Sequence, residues 1–149
     1  MEISIEKGLE LKLLELKDAE ELFALVDSCR SYLKEWLPWL DGAKRVEDAK
    51  YFLEQSQKEF QLRRGLQTGI WYNGRLAGVI GFYRIDWSNG TAYLGYWLGE
   101  KYQGQGIMTK SVKALVHYAF NELGLKRVEI RCAEENLRSR AIPERLGFI

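Results

Sequence analysis

Tyr102-Gln103-Gly104-Gln105-Gly106-Ile107-Met108-Thr109 joins a strand-like run, Thr91 to Leu98, to a long amphipathic segment, Ile107 to Leu123. From Lys101 to Asn121 the chain carries no Asp or Glu. Helix first turns usually hold acids, because the N-terminus is the positive end of the helix dipole and has free N–H groups. Here that end is left to Thr109, Lys110, Ser111 and Lys113, behind a loop of glycines. A helix start without carboxylates suits an anion, most often a phosphate. The stretch predicts strand, glycine loop and helix, with a phosphate-bearing ligand at the junction.

Glycine pairs also serve as plain turns. The missing acids and the flanking Gln103 and Gln105 favour a pyrophosphate cradle, with backbone N–H groups doing the holding. The dinucleotide pattern fails, since Thr109 stands where a third glycine is needed, and the Walker Gly-Lys-Ser/Thr is absent.

Outward from the loop, Asn73-Gly74 separates two apolar runs, Thr68 to Tyr72 and Leu76 to Asp86, which is a strong hairpin signal. Ser88-Asn89-Gly90 marks a second tight turn, so three strands form an antiparallel meander. Before it, Leu9 to Leu16 reads as a strand and Asp18-Ala19-Glu20-Glu21 as a capping box opening a helix over Leu22, Phe23, Val26 and Cys29. Pro38 stops that helix, and a second runs from Glu47 to Arg64, with Ala49, Phe52, Leu53 and Phe60 on one face and Gly65 as its stop. Beyond the loop, Met108, Val112, Leu115, Val116, Ala119, Phe120 and Leu123 follow the spacing of one buried helix face, closed by Gly124. Lys126 to Ala133 alternates as a strand, and a short helix lies between Ser139 and Leu146. The order is β-α-α-β-β-β-α-β-α, a mixed α/β domain.

The 149 residues suit one domain, and 46% hydrophobic with 29% charged residues is ordinary for a soluble globular protein. A net charge of +1 gives no pull toward nucleic acid or membrane, and no apolar run approaches a membrane span. The acidic, alternating N-terminus does not resemble a signal peptide. Cys29 and Cys132 read as free thiols, which points to the cytoplasm. A single histidine, His117, excludes a His-rich metal site, and no metal is expected.

Gln103-x-x-Gly106 after Tyr96-Trp97-Leu98-Gly99, followed by Asn136-Leu137-Arg138-Ser139 and Arg145-Leu146-Gly147-Phe148, resembles the GNAT superfamily of N-acetyltransferases. The likeness runs from about Leu9 to the end and is greatest to the branch that acetylates N-terminal amines of ribosomal proteins. It implies the acyl-CoA N-acyltransferase (GNAT) fold, a mixed, mostly antiparallel sheet flanked by helices, as one domain over residues 1–149. It implies acetyl-CoA (coenzyme A) as cofactor, with Gln103, Gly104, Gln105, Gly106, Ile107, Met108 and Thr109 on its pyrophosphate. It further implies a bulged strand whose backbone at Trp97 and Leu98 pairs with the pantetheine arm, and Asn136 bonded to the same arm. A bulge frees ladder groups that an amide-bearing arm can take up. On residue type alone Asn136 would serve equally as a cap or turn residue.

The chain departs from the family pattern at two positions. Met108 stands where the family loop ends in Gly or Ala. Pro143 stands where many members have a tyrosine that protonates the leaving thiolate. Ser139 is the nearest remaining donor, though serine is as well suited to cap the last helix. Attack by a neutral amine on the thioester, in a ternary complex, needs a proton acceptor. Glu129 resembles the base of other members but is offset by two residues, and a salt bridge to Arg127 or Arg131 is its structural alternative. Asp86 and Glu100 are weaker candidates. A backbone N–H of the strand would polarise the carbonyl. Tyr32, Trp36, Trp39 and Tyr83 are expected to wall the acceptor site or to pack in the core.

The family continues past Gly-Phe with two more strands, and this chain stops at Ile149. The expectation is that the C-terminal strands are missing here, or that a partner chain, as in a homodimer or higher oligomer, covers the edge of the Lys126 to Ala133 strand. The reading is an N-acetyltransferase acting on a primary amine: a protein N-terminus, a polyamine or an aminoglycoside. A non-catalytic acyl-CoA-binding module of the same fold is the alternative.

Overall fold

A computed structural model describes residues 2–28 and 45–130, with Glu100 described by its backbone alone. The first element is a strand the sequence reading did not assign, β1 (Glu2–Glu6), antiparallel to β2 (Leu9–Leu13). Glu2, Ser4 and Glu6 face solvent while Ile3 and Ile5 are half-buried, the alternation of a one-sided strand. β2 ends at Leu13, short of Leu16, because Leu16–Asp18 form a 3-10 turn. The capping box sits one turn earlier than expected: Asp18 Oδ2 accepts the Glu15 N–H at 2.9 Å. Glu21 is thereby released from capping, and its Oε2 accepts the Leu76 N–H at 2.7 Å.

Helix α1 (Ala19–Ser28) buries Ala19, Leu22, Leu25 and Val26. Helix α2 (Val46–Gln61) buries only Ala49 and Leu53, so Phe52 and Phe60, expected on its buried face, are 39% and 41% exposed. α2 stops before Arg64, and the left-handed residue after it is Arg63 (φ +58) rather than Gly65. Trp87 Nε1 donates to the Arg63 carbonyl and the Arg63 guanidinium stacks on the Trp87 ring at 4.4 Å. That clasp offsets the cost of a non-glycine residue at positive φ.

β3 (Leu66–Tyr72), β4 (Arg75–Asp86) and β5 (Thr91–Leu98) form the predicted meander. Asn73 (φ +51) and Gly74 (φ +81) take the two positive angles that a type I′ hairpin requires. Helix α3 (Ile107–Asn121) leads to β6 (Arg127–Ile130). The sheet runs β1-β2-β3-β4-β5-β6, antiparallel except for β5 and β6, and α3 is the crossover that a parallel pair needs.

β4 is buried without a break from Leu76 to Phe82, so both faces of the sheet are covered there. α1 lies on β4 with α2 beside it on β3, and α3, touching β1, β4 and β6, takes the opposite face. α3 buries Ile107, Met108, Ser111, Val112, Leu115 and Ala119, while Phe120, expected inside, is 41% exposed. It follows the buried Ala119 by about 100° of helix rotation and so leaves the stripe. The rest of the predicted Lys126 to Ala133 strand and the helix between Ser139 and Leu146 lie outside the described residues, as do Cys29 and Cys132.

Candidate active site

The loop after β5 is built from its own backbone. Gly99 N–H donates to the Ala77 carbonyl at 2.8 Å, and Glu100–Tyr102 make one 3-10 turn. Tyr102 is buried with its ring edge-on to Tyr72, centroids 6.1 Å apart. Gln103 Nε2 donates to the Leu98 carbonyl at 3.1 Å and Gln105 Nε2 to the Lys101 carbonyl at 3.3 Å. The glutamine side-chain amides therefore brace the loop from within and leave ligand contact to the backbone.

Gly104 (φ +78) and Gly106 (φ +75) hold left-handed corners, and a Cβ at either would meet nothing within 4 Å. Their need for glycine is conformational, and the space beside them is open. Gly106 is the N-cap of α3 without a side-chain cap, and the first turn holds no acid. The first helical bond is Lys110 N–H to the Gly106 carbonyl, 3.1 Å, so the N–H groups ahead of Lys110 have no intrahelical acceptor. Ile107 and Met108 anchor the helix start at 3% and 5% exposure, which accounts for an apolar residue where the resemblance expects Gly or Ala. Thr109 is half-buried, and Lys110 Nζ pairs with Glu6 Oε1 of β1 at 2.6 Å. Open glycine corners and N–H groups without an intrahelical acceptor, in a first turn that carries no acid of its own, fit a pyrophosphate.

On β5, Trp97 is half-buried and sits opposite Val79, and Leu98 is buried opposite Gly78. The bulge expected near Trp97 and Leu98 lies elsewhere. The register of the β4–β5 pair shifts between Phe82 and Arg84, which makes Tyr83 of β4 the extra residue, and β5 runs without an insertion. An unpaired extra residue belongs to the strand that must bend, and here that is the longer one, β4. The bulge leaves the Tyr83 ring over Gly95, where a Cβ would meet Tyr83 Cδ1 at 3.3 Å, and 6.2 Å from the Tyr93 ring. The parallel ladder of β5 with β6 runs from Thr91↔Arg127 to Leu94↔Ile130.

Glu129 stands opposite Tyr93 in that ladder and accepts from Arg127 Nη2 at 2.8 Å, the ion pair that was the structural alternative for it. Asp86 is occupied by its turn: Ser88 Oγ donates to it at 2.7 Å and Asn89 Nδ2 at 2.8 Å. The Ser88 hydroxyl first, then the Asn89 amide, hold its carboxyl below the ordinary value, which makes it a poor proton acceptor. His117 is exposed on α3 with Asn121 Nδ2 3.0 Å from its Nδ1. Among the described residues no three His, Cys, Asp or Glu cluster as metal ligands, and no helix is long and apolar enough to cross a membrane. Tyr32, Trp36, Trp39, Asn136, Ser139 and Pro143 lie outside the described residues.

The sequence reading missed one part of the site. Between α1, α2 and the β4–β5 face lies a cavity of about 400 Å³, walled by Phe23, Val26, Ala49, Phe52, Val79 and Trp97. Its signal was the surplus of aromatics on α2: Tyr51 and Phe52 are adjacent, and one buried stripe cannot hold both.

The profile of the acetyltransferase (GNAT) domain family matches residues 9–149. The ribosomal-protein-serine acetyltransferase of Escherichia coli (strain K12) is 31% identical over 147 residues, covering 99% of this chain and 82% of its own. The microcin self immunity acetyltransferase MccE, solved with acetyl-CoA and AMP, superposes with a TM-score of 0.91 at 34% identity, over 96% of this chain and 79% of its own. RimL, a ribosomal alpha-N-protein acetyltransferase solved with coenzyme A, superposes with a TM-score of 0.95 at 28% identity, over 99% and 83%.

Proposed function

The chain belongs to the acetyltransferase (GNAT) domain family, and from that membership we propose that it is an acetyl-CoA-dependent N-acetyltransferase whose acceptor is a protein N-terminus. The observation that carries the reading is the acid-free start of α3 behind the open corners at Gly104 and Gly106. Relatives named as ribosomal-protein acetyltransferases supply the acceptor class.

When bound, acetyl-CoA supplies the acetyl group as a thioester. The backbone of Gln103 to Thr109 holds its pyrophosphate, and β5 at Trp97 and Leu98, with Asn136, aligns its amide arm. From Leu98 back to Leu94 is four residues, roughly 13 Å of strand, so an amide arm laid along β5 would point toward the β5–β6 ladder. Glu129 stands there opposite Tyr93, and directly opposed residues share a face. Its role is to take the ammonium proton of the acceptor through water, so that a neutral amine attacks directly. A β5 N–H would polarise the thioester carbonyl; as the C–N bond forms and the C–S bond breaks, Ser139 would give its hydroxyl proton to the leaving thiolate and regain one from solvent. Tyr83, with Tyr32, Trp36 and Trp39, walls the acceptor. The reading implies the cytoplasm, with a homodimer or higher oligomer as the proposed assembly.

Thiol release from acetyl-CoA over a panel of peptide N-termini and small amines tests the proposal. Turnover on peptides is expected; binding without release on every amine would leave an acyl-CoA-binding module instead. Glu129→Gln is expected to lower kcat by about 10²-fold or more and to flatten the acid limb of the pH profile, while Arg127→Gln keeps that limb. An unchanged profile in Glu129→Gln removes Glu129 from the role.

A further inference from the structure

The cavity between α1 and α2 bears on what the acceptor carries beside its amine. Its walls are Phe23 and Val26 of α1, Ala49 and Phe52 of α2, and the opposed pair Val79 and Trp97 of the sheet. At about 400 Å³ it falls in the roughly 300–1,000 Å³ range of small-molecule pockets. Among the described residues Asp48 is the one charged residue in its lining, and its carboxylate already accepts the Arg45 N–H at 3.0 Å as part of the α2 capping box. A polycation needs several carboxylates and an aminoglycoside many polar partners; the described lining offers one carboxylate, Asp48, with Tyr51 and Gln55 as its other polar side chains, against seven apolar or aromatic residues.

The cavity is continuous with the cofactor strand. Trp97 is both its floor and the neighbour of Leu98, whose carbonyl is tied to Gln103 of the glycine loop. Gly95, under the Tyr83 ring, is two residues away, about 7 Å along the strand. An amine delivered beside Gly95 therefore has the cavity within reach of the side chains next to it.

Resting on the transferase reading above, we infer that this cavity is a specificity pocket for an apolar side chain at the first or second residue of the acceptor peptide. Binding there releases water from Phe52, 39% exposed, and from the face of Trp97, whereas a charged side chain would be desolvated without a partner.

The test compares kcat/KM for peptides of one length carrying Ile, Leu or Phe, against Gly, Asp or Lys, at each of the first two positions, with spermidine as a further acceptor. The apolar peptides are expected to exceed the charged ones by about 10-fold to 100-fold at one of the positions. Ala49→Phe, which fills the cavity, and Phe52→Ala, which opens one wall, should each reduce that ratio below about 3-fold. Acetyl-CoA Kd by calorimetry should stay within twofold in both, which also reports folding. Equal rates for Gly, Asp, Lys and apolar peptides, or a ratio unchanged in both variants, would overturn the pocket and leave the transferase reading standing. No turnover of any amine with acetyl-CoA still bound would overturn both.

Discussion

Gly106 and Gly124 lie at the two ends of α3 and share positive φ angles of +75 and +69, and a Cβ added to either would meet nothing within 4 Å. Alanine at either should cost about 1 kcal/mol, because a Cβ disfavours the left-handed region whatever the space around it. Only Gly106 borders the proposed phosphate cradle. Gly106→Ala is therefore expected to lower Tm by a similar amount to Gly124→Ala but to weaken acetyl-CoA binding about 10-fold, with Gly124→Ala unchanged in a calorimetric titration. Equal Kd values in the two would separate the glycine loop from the cofactor.

Asp86 gives the pH prediction at the same scale. Its carboxyl is held below the ordinary 3.8, chiefly by the Ser88 hydroxyl and the Asn89 amide. A carboxylate with a depressed folded-state pKa stabilises the fold above its unfolded value, and that contribution disappears as pH falls through the folded value. The stability difference between the native chain and Asp86→Asn, measured by urea unfolding, should thus be largest above about pH 5 and shrink toward about pH 2. The signal for this turn was local: Asp86, Ser88 and Asn89 are side chains that bond within their own turn.

Among the elements, β4 decides how the acceptor side is arranged. Its bulge sets Tyr83 out of register, over Gly95 and against Tyr93, on which the Arg84 guanidinium stacks at 5.3 Å. Tyr83→Ala is expected to raise the acceptor KM by about 10-fold while leaving acetyl-CoA Kd unchanged, since the ring covers the strand and makes no part of the glycine loop. A change in cofactor Kd alone would reassign Tyr83. The resemblance implied a bulged β5 near Trp97 and Leu98; the β4–β5 register instead has its extra residue on β4 at Tyr83. The extent of both strands was readable in their runs. Which of two paired strands carries the extra residue was not, because that depends on register between chain segments and not on either one. For α2 and α3 the helices were legible from period, but the width of their buried stripes was not: Phe52, Phe60 and Phe120 have core chemistry and are 39%, 41% and 41% exposed.

At the scale of the whole molecule, the one parallel pair among the described residues, β5 with β6, places the site. β5 and β6 end at the same side of the sheet, and the loop into α3 emerges from the carboxyl end of β5, where crossover geometry leaves a helix start facing outward. The core beneath holds this in place, with Phe82, Leu11, Leu53, Ile70, Ile80 and Leu94 fully buried. Phe82→Ala should destabilise the chain by about 3–5 kcal/mol in urea unfolding, and acetyl-CoA should recover part of that loss, since a ligand that binds only the folded state stabilises it by mass action.

Turns and periods were written into short runs of residues: Asn73-Gly74, the strand from Thr91 to Leu98, the glycine loop and the acid-free start of α3. These are properties of a few consecutive positions, set by allowed φ angles, side-chain alternation and the helix dipole. It took the folded chain to settle that Glu21 would leave its cap for the Leu76 N–H, 55 residues on, that Tyr83 would cover Gly95, and that α1 and α2 would enclose a cavity against Val79 and Trp97. Each of these joins segments distant in the chain, and which distant segments meet is settled by the packing of the whole core, where every choice of neighbour excludes another.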